Sequence, residues 1–303
     1  MWRNEKTRGL AIQIALLASI AALVGLLVAT AVDNLKRRGI PIGWDFLWSP
    51  SKVVISESLL SYDHDSATWR AIVVGIVNTL YVSALVIVLS TLAGALLGLA
   101  RLSANPLARG ASRVWIEVAR NFPPIVILIF LYSLWWKVLP PLDEAWQPLP
   151  GMTLSMRGLQ LERFGWELSP ELSTVLIGLT LYTAGFVAEI MRAGVQSIAK
   201  GQWEAGRSLA LPPFKLLRLV IVPQTLRVIV PPMNSQYINV VKNSTLVIAV
   251  GYPDFLAVMN TIISKSSHSI EGVGIILGVY LTINLALSAL ANWYNRRIAL
   301  VER

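Results

Sequence analysis

The chain has no cysteine and only two histidines, His64 and His268, among its 303 residues. Disulfides, thiolate metal sites and a cysteine nucleophile are thereby excluded. A histidine-built metal or catalytic centre has too few ligands to form, so neither a metal nor a catalytic site is expected. Charge is scarce as well. Charged residues make up 14% of the chain, against about 25% in an ordinary soluble domain, while 55% is hydrophobic and the mean hydropathy is +0.61. The deficit falls in long blocks, which excludes a single water-soluble domain, a disordered chain and a coiled coil. No Gly-Lys-Ser/Thr occurs, so there is no P-loop to cradle a nucleotide. The net charge of +9 need not signal nucleic acid, because membrane proteins concentrate Lys and Arg in their cytoplasmic loops.

What is present is a series of apolar blocks. A spanning helix needs roughly 20 mostly apolar residues. Uncharged runs cover Leu10 to Val32, Ala71 to Ala100 and Gly272 to Asn295. A third span is expected from about Ser112 through Trp136. A fourth runs from Leu172 to about Ser197, and a fifth from Leu219 to about Val241, interrupted by Pro223, Arg227, Pro231 and Pro232. The apolar stretch Asn243 to Ile263 is shorter and broken by Pro253 and Asp254, which suits a re-entrant or gate segment. The first run opens basic and ends in Ala29-Thr30-Ala31, as a signal peptide does. Its 23 residues exceed the roughly 7–15 of a signal core, and it is read as a retained helix.

Six spans starting inside place 16 of the 26 Lys and Arg on the cytoplasmic side with 5 of the 17 acids, a net +11 inside against −2 outside. That is the sense the positive-inside rule requires, with both termini cytoplasmic. One outer cluster, Lys36-Arg37-Arg38, runs against it. Two outer loops, Asp33 to Arg70 and Lys137 to Glu171, are long; tryptophans in and beside them, including Trp135 and Trp136 just before the second, suit the headgroup level.

Between the fourth and fifth spans, Lys200 to Lys215 alternates apolar residues (Trp203, Leu209, Leu211, Phe214) with Glu204, Arg207 and Lys215. The pattern suggests two short amphipathic helices with a break near Ala210 to Pro213, the second starting at Pro213. Such a surface either docks in a partner's groove or lies on lipid; spacing does not separate the two. Glu117/Arg120 and Glu189/Arg192 share a Glu-x-x-Arg spacing that lets each pair meet on one helix face near its cytoplasmic end. They either brace and neutralise the helix end or form an inner gate. Lys242, with Asn243, Ser244 and Thr245, offers a cation and three small hydrogen-bonding groups suited to a carboxylate. The alternative is a structural break whose side chains satisfy freed backbone groups. Gly75, Gly94 and Gly98 in the second span suit close helix packing.

The stretch from Glu204-Ala205-Gly206 to Pro223 resembles the EAA loop of ATP-binding-cassette importer permeases: Glu-Ala-Ala, three residues, Gly, nine residues, then Ile-x-Leu-Pro. Glu204, Ala205 and Pro223 match in register. Gly206 stands for the second Ala, Ala210 for the Gly, and Val220 and Val222 for Ile and Leu. A left-handed turn at Ala210 is costly, so the turn is expected to move to Pro212-Pro213. Ala184 to Ser197, Glu117 to Pro124, Lys242 to Leu246 and Gly251-Tyr252-Pro253-Asp254 are similar to the polar amino-acid branch of that family. The extra first helix, Arg38-Gly39-Ile40 and Trp44-Asp45-Phe46-Leu47 are similar to its general L-amino-acid permeases.

That resemblance implies an all-α polytopic membrane protein: a five-helix type I importer core (residues 71–303, with a coupling loop at 200–218) behind an N-terminal helix and outer loop (residues 1–70). It implies a non-enzymatic subunit in the cytoplasmic membrane of a prokaryote, carrying an amino acid, with no cofactor of its own. The partners it implies are ATPase subunits, a second permease of the same or a related kind, a substrate-binding protein on the outer face and membrane lipid. Glu204, Ala205, Gly206, Arg207, Leu209, Ala210 and Phe214 would couple to the ATPase. Lys242 to Thr245 would lie near the translocation path. A stand-alone proton-coupled transporter using Glu189 or Lys242 is the competing class, disfavoured by the lack of a visible inverted repeat. An intramembrane enzyme has no supporting motif.

Overall fold

The computed structural model describes residues 5–298; Arg3, Glu302 and Arg303, counted above as cytoplasmic charges, lie outside them. Ten α-helices account for most of this length: α1 (Glu5–Arg37), α2 (Thr68–Leu102), α3 (Pro106–Asn121), α4 (Pro124–Val138), α5 (Pro170–Gln196), α6 (Lys200–Ser208), α7 (Pro213–Leu216), α8 (Val222–Asn243), α9 (Phe255–Ser266) and α10 (Ser269–Ile298). A π-helical turn, Leu217–Ile221, joins α7 to α8. Five helical segments are long and apolar enough to span, and α3 with α4 makes a sixth when the bent pair is counted as one span.

That sixth span corrects the expected helix from Ser112 to Trp136. It is cut into two helices bent by 106°. Phe122 and Pro123 are extended, with ψ of 138° and 135°, because a residue before proline is pushed out of the α region and two prolines follow Phe122. The first half is therefore a separate amphipathic helix. Its buried residues Ser112, Ile116 and Ala119 recur at helical spacing and face α2 and α5.

The centre of the fold is the pairing of α2 with α5. A Cβ on Gly94 would stand 2.5 Å from the Cβ of Val187, and one on Gly98 would stand 2.9 Å from the carbonyl oxygen of Ala188. No side chain larger than hydrogen fits there, so the glycines set the interhelical distance, as read from the sequence. Gly75 does the same for α9, where a Cβ would come 2.9 Å from Phe255 Cα. The main core joins Val82 and Val86 of α2 to Leu128, Val175, Leu179, Val240, Val247 and Tyr252.

After α8 the chain makes a 3₁₀ turn at Ser244–Val250, turns at Gly251 (φ 81°) and starts α9 behind Asp254, whose Oδ1 accepts from Ala257 N at 2.8 Å. α9 ends beside the loop between α1 and α2, where Lys265 Nζ donates to Lys52 O. This is the interrupted segment that Pro253 and Asp254 announced. Despite Pro231 and Pro232, α8 continues as one helix.

The long loop between α4 and α5 is not irregular. It folds into a four-stranded antiparallel meander in the order β1 (Trp146–Leu149), β2 (Met152–Ser155), β3 (Gly158–Leu161) and β4 (Trp166–Leu168). The signals were short: Pro150-Gly151 makes one turn, and Met156-Arg157 closes the hairpin that pairs Ser155 with Gly158. Trp135 belongs to this contact rather than to the headgroup level. It is 6% exposed, and its Nε1 donates to Ser155 O at 3.0 Å. α1, apolar on every side, packs none of its spanning window against the rest of the chain, a surface suited to lipid or another apolar protein.

Candidate functional site

The elbow between α5 and α8 is built from α6, α7 and the π-helical turn. It has an interior of its own: Ile198, Leu216 and Ile221 are buried, with Trp203, Leu211 and Val220 packed against them. Gly206 is buried in the same seam, and any Cβ there would run into Leu216 Cδ1. Gly206 is thus an internal spacer rather than part of the outer surface. Glu204, Ala205, Arg207, Leu209, Ala210 and Phe214 all lie outside. Leu209 and Phe214 are 74% and 70% exposed. Among the described residues neither Glu204 nor Arg207 has an ion-pair partner.

The turn does not move to the prolines as expected. It stays at Ala210, which adopts φ +51°. Leu211 N donates to Gly206 O at 3.1 Å and Ala210 N to Arg207 O at 2.9 Å, the crossed pair of bonds of a Schellman end. These bonds hold Ala210 in a conformation that glycine adopts more cheaply. Pro212 then leads into α7, which begins at Pro213 as its ring geometry favours.

Around the elbow, the two Glu-x-x-Arg motifs behave differently. Glu189 and Arg192 meet on α5, with Arg192 Nε 2.9 Å from Glu189 Oε2, and Arg192 also bonds Gln196. Glu117 does not meet Arg120. It takes Arg113 one turn earlier, Nε to Oε1 at 2.8 Å, a pairing that i,i+4 spacing also allows. Arg120 leaves its own helix and lies 5.5 Å from the centroid of Phe186 on α5, a cation–π contact. It crosses beside the close approach of Ala119 to Gly185. Arg113 was the residue missed, and its spacing to Glu117 was the available signal.

Lys242, Asn243, Ser244 and Thr245 do not converge. Ser244 is buried and its Oγ donates to Val241 O at 2.7 Å, while Thr245 Oγ1 donates to Lys242 O at 2.8 Å. Both hydroxyls therefore serve the carbonyls released where α8 gives way to the 3₁₀ turn. Lys242 is exposed and Asn243 half-buried.

With this geometry in hand, the likeness to known proteins is specific. The sequence model of the family described as "Binding-protein-dependent transport system inner membrane component" matches residues 90–300. The chain is 35% identical to the putative amino-acid ABC transporter permease protein YhdX of Escherichia coli, over 99% of this chain and 96% of the relative. It is 32% identical to the general L-amino acid transport system permease protein AapQ of Rhizobium johnstonii, over 99% and 94%. Among solved structures it resembles an amino acid ABC transporter with a TM-score of 0.61 and 26% identity, over 76% of this chain and 94% of that one. The methionine ABC transporter MetNI, at 18% identity and a TM-score of 0.58 over 76% and 97%, shares the fold. This multi-pass inner-membrane chain belongs to the family of binding-protein-dependent transport system inner membrane components.

Proposed function

We propose that this chain is the membrane subunit through which an amino acid enters the cell, driven by separate ATPase subunits that seat on the elbow at 200–218. It works with a second permease subunit and a binding protein on the outer face, and both of its termini are cytoplasmic. One observation carries the reading: the elbow buries a core of its own yet leaves Leu209, Phe214, Glu204 and Arg207 exposed or unpaired. An apolar tip flanked by free charges is what a helix docking in a partner's groove presents. The π-helical turn and α8 connect this tip directly to the bundle, so closure of the ATPase pair would tilt the core between outward and inward states. The exposed Lys242 and half-buried Asn243 are assigned to the translocation path, and Glu189/Arg192 with Arg113/Glu117 to bracing the cytoplasmic helix ends.

The test is uptake into vesicles containing the purified complex. Transport requires ATP and the ATPase, and Glu204→Lys uncouples ATP hydrolysis from transport while the protein still inserts. Uptake driven by a proton gradient with no ATPase present overturns the reading. Normal coupling in Glu204→Lys removes the elbow from the ATPase contact.

A further inference from the structure

The basic triplet Lys36-Arg37-Arg38 closes α1, a helix without charge from Leu10 to Val32, and the transport reading gives it no task. Its surroundings are ordered by specific bonds. α1 ends in a second Schellman turn: Ile40 N donates to Leu35 O at 3.0 Å and Gly39 N to Lys36 O at 3.1 Å, with Gly39 at φ 67°. Just beyond, Gly43 N donates to Glu271 Oε1 at 2.6 Å. Glu271 lies in the first turn of α10 and is 5% exposed, so this bond pins the end of α1 against the start of α10.

A groove of about 600 Å³ opens between the two helices. Leu35, Ile40, Ile270 and Val273 form its apolar wall, and Arg38 is the one charged residue among the described residues that line it. Ala31, Val32 and Leu35 are half-buried at this contact, whereas residues 9–30 are all exposed. The helices therefore meet at one end, and the bilayer fills the space beside the rest of α1.

The charges at this end do not cancel. Arg37 takes Asp33, Nε to Oδ2 at 3.0 Å, and Glu271 is occupied with Gly43. Among the described residues Lys36 and Arg38 have no ion-pair partner, and both are exposed. Two unmatched cations thus stand where an apolar helix leaves the hydrocarbon, beside a groove open to lipid.

We propose that this groove holds a phospholipid of net negative charge, such as phosphatidylglycerol, with its phosphate on Arg38 and an acyl chain along Leu35, Ile270 and Val273. The guanidinium fork suits a phosphate, and Lys36 strengthens the local field that draws an anionic headgroup. A zwitterionic lipid brings a choline cation beside the same two cations. An apolar helix of another subunit would cover the wall but leave Arg38 without an anion, and a soluble phosphate would leave the wall bare.

The test uses the complete complex in nanodiscs of equimolar phosphatidylglycerol and phosphatidylcholine. The photo-cross-linker p-benzoylphenylalanine replaces Val273, which is exposed on the groove wall, and mass spectrometry identifies the adduct. Phosphatidylglycerol is expected to dominate about tenfold or more, since each cation near an anionic headgroup contributes about fivefold. The same label at Leu281, exposed on α10 and about 12 Å further along at 1.5 Å per residue, samples bulk lipid and gives a ratio of about one. In the double variant Lys36→Gln, Arg38→Gln the ratio at Val273 also falls to about one. Equal ratios at Val273 and Leu281 in the otherwise unaltered chain, or an undiminished preference in the double variant, overturn the proposal. An adduct to a second protein chain at Val273 overturns it too, in favour of a subunit contact. The comparison of Val273 with Leu281 decides even if the double variant fails to assemble.

Discussion

Replacing Ala210 with glycine tests the elbow directly. Ala210 holds φ +51°, where its Cβ crowds the following carbonyl at a cost of about 1–2 kcal/mol. Glycine removes that contact but frees the unfolded chain, an opposing effect of about 0.5–1 kcal/mol. The difference predicts a net stabilisation of about 0.5–1 kcal/mol, in line with substitutions at compatible positions. The gain is local, because Ala210 is exposed and tied only through the end of α6. Hydrogen exchange in the purified complex reads it best. The amides of Ala210 and Leu211, which close the Schellman bonds, should exchange about two- to fivefold more slowly in Ala210→Gly, while amides in α2 and α5 stay unchanged. Ala210→Val should move the same amides the other way, since a β-branched residue tolerates this region worst. Faster exchange in Ala210→Gly, or equal exchange in glycine and valine variants, would refute a left-handed turn at this position.

Other outcomes follow from the packing and electrostatics. Gly94→Leu should cost about 1–3 kcal/mol or prevent assembly, read as a lowered melting temperature in detergent; a variant as stable as wild type contradicts the α2–α5 contact. Gly206→Val should destabilise, and adding Leu216→Ala should recover part of the loss; strict additivity would show that the two residues do not touch. Lys242→Ala should lower uptake more than membrane yield, whereas Ser244→Ala should lower yield by removing the bond to Val241; the reverse pattern would exchange their roles. Burial pushes the Glu57 carboxyl above its usual value of 4.5. The folded state then holds that proton more tightly than the unfolded state, so stability declines as pH rises upward from that value. Glu57→Gln should flatten this slope in melting temperature against pH, and an unaltered slope would mean Glu57 is not buried.

Much of the architecture was legible because it rests on local composition. Apolar length marked the spans, Pro213 marked the start of α7, and Pro253-Asp254 marked the break before α9. The small residues at 75, 94 and 98 announced close helix contacts, since hydrogen side chains have few other uses in an apolar run. The β-meander was missed because strands of three or four residues carry too little periodicity to stand out in a proline-rich loop. The third span was misread because apolarity does not record direction, and only the backbone restriction before Pro123 and Pro124 bends it.

Sequence alone determined that this is a multi-pass membrane chain with a charged, apolar-tipped segment between two of its spans, because the bilayer imposes its rule residue by residue. Tertiary structure decided which groups meet. Glu117 took Arg113 instead of Arg120 because Phe186 of another helix stood within reach. Gly206 turned inward because Leu216 fills the opposite side of the seam. Glu57 gained a fixed place at a cavity wall only because Asn78 and Ser169, distant in sequence, arrive beside it. Partner choice among charges depends on distance in space, and distance in space appears only once the helices have packed.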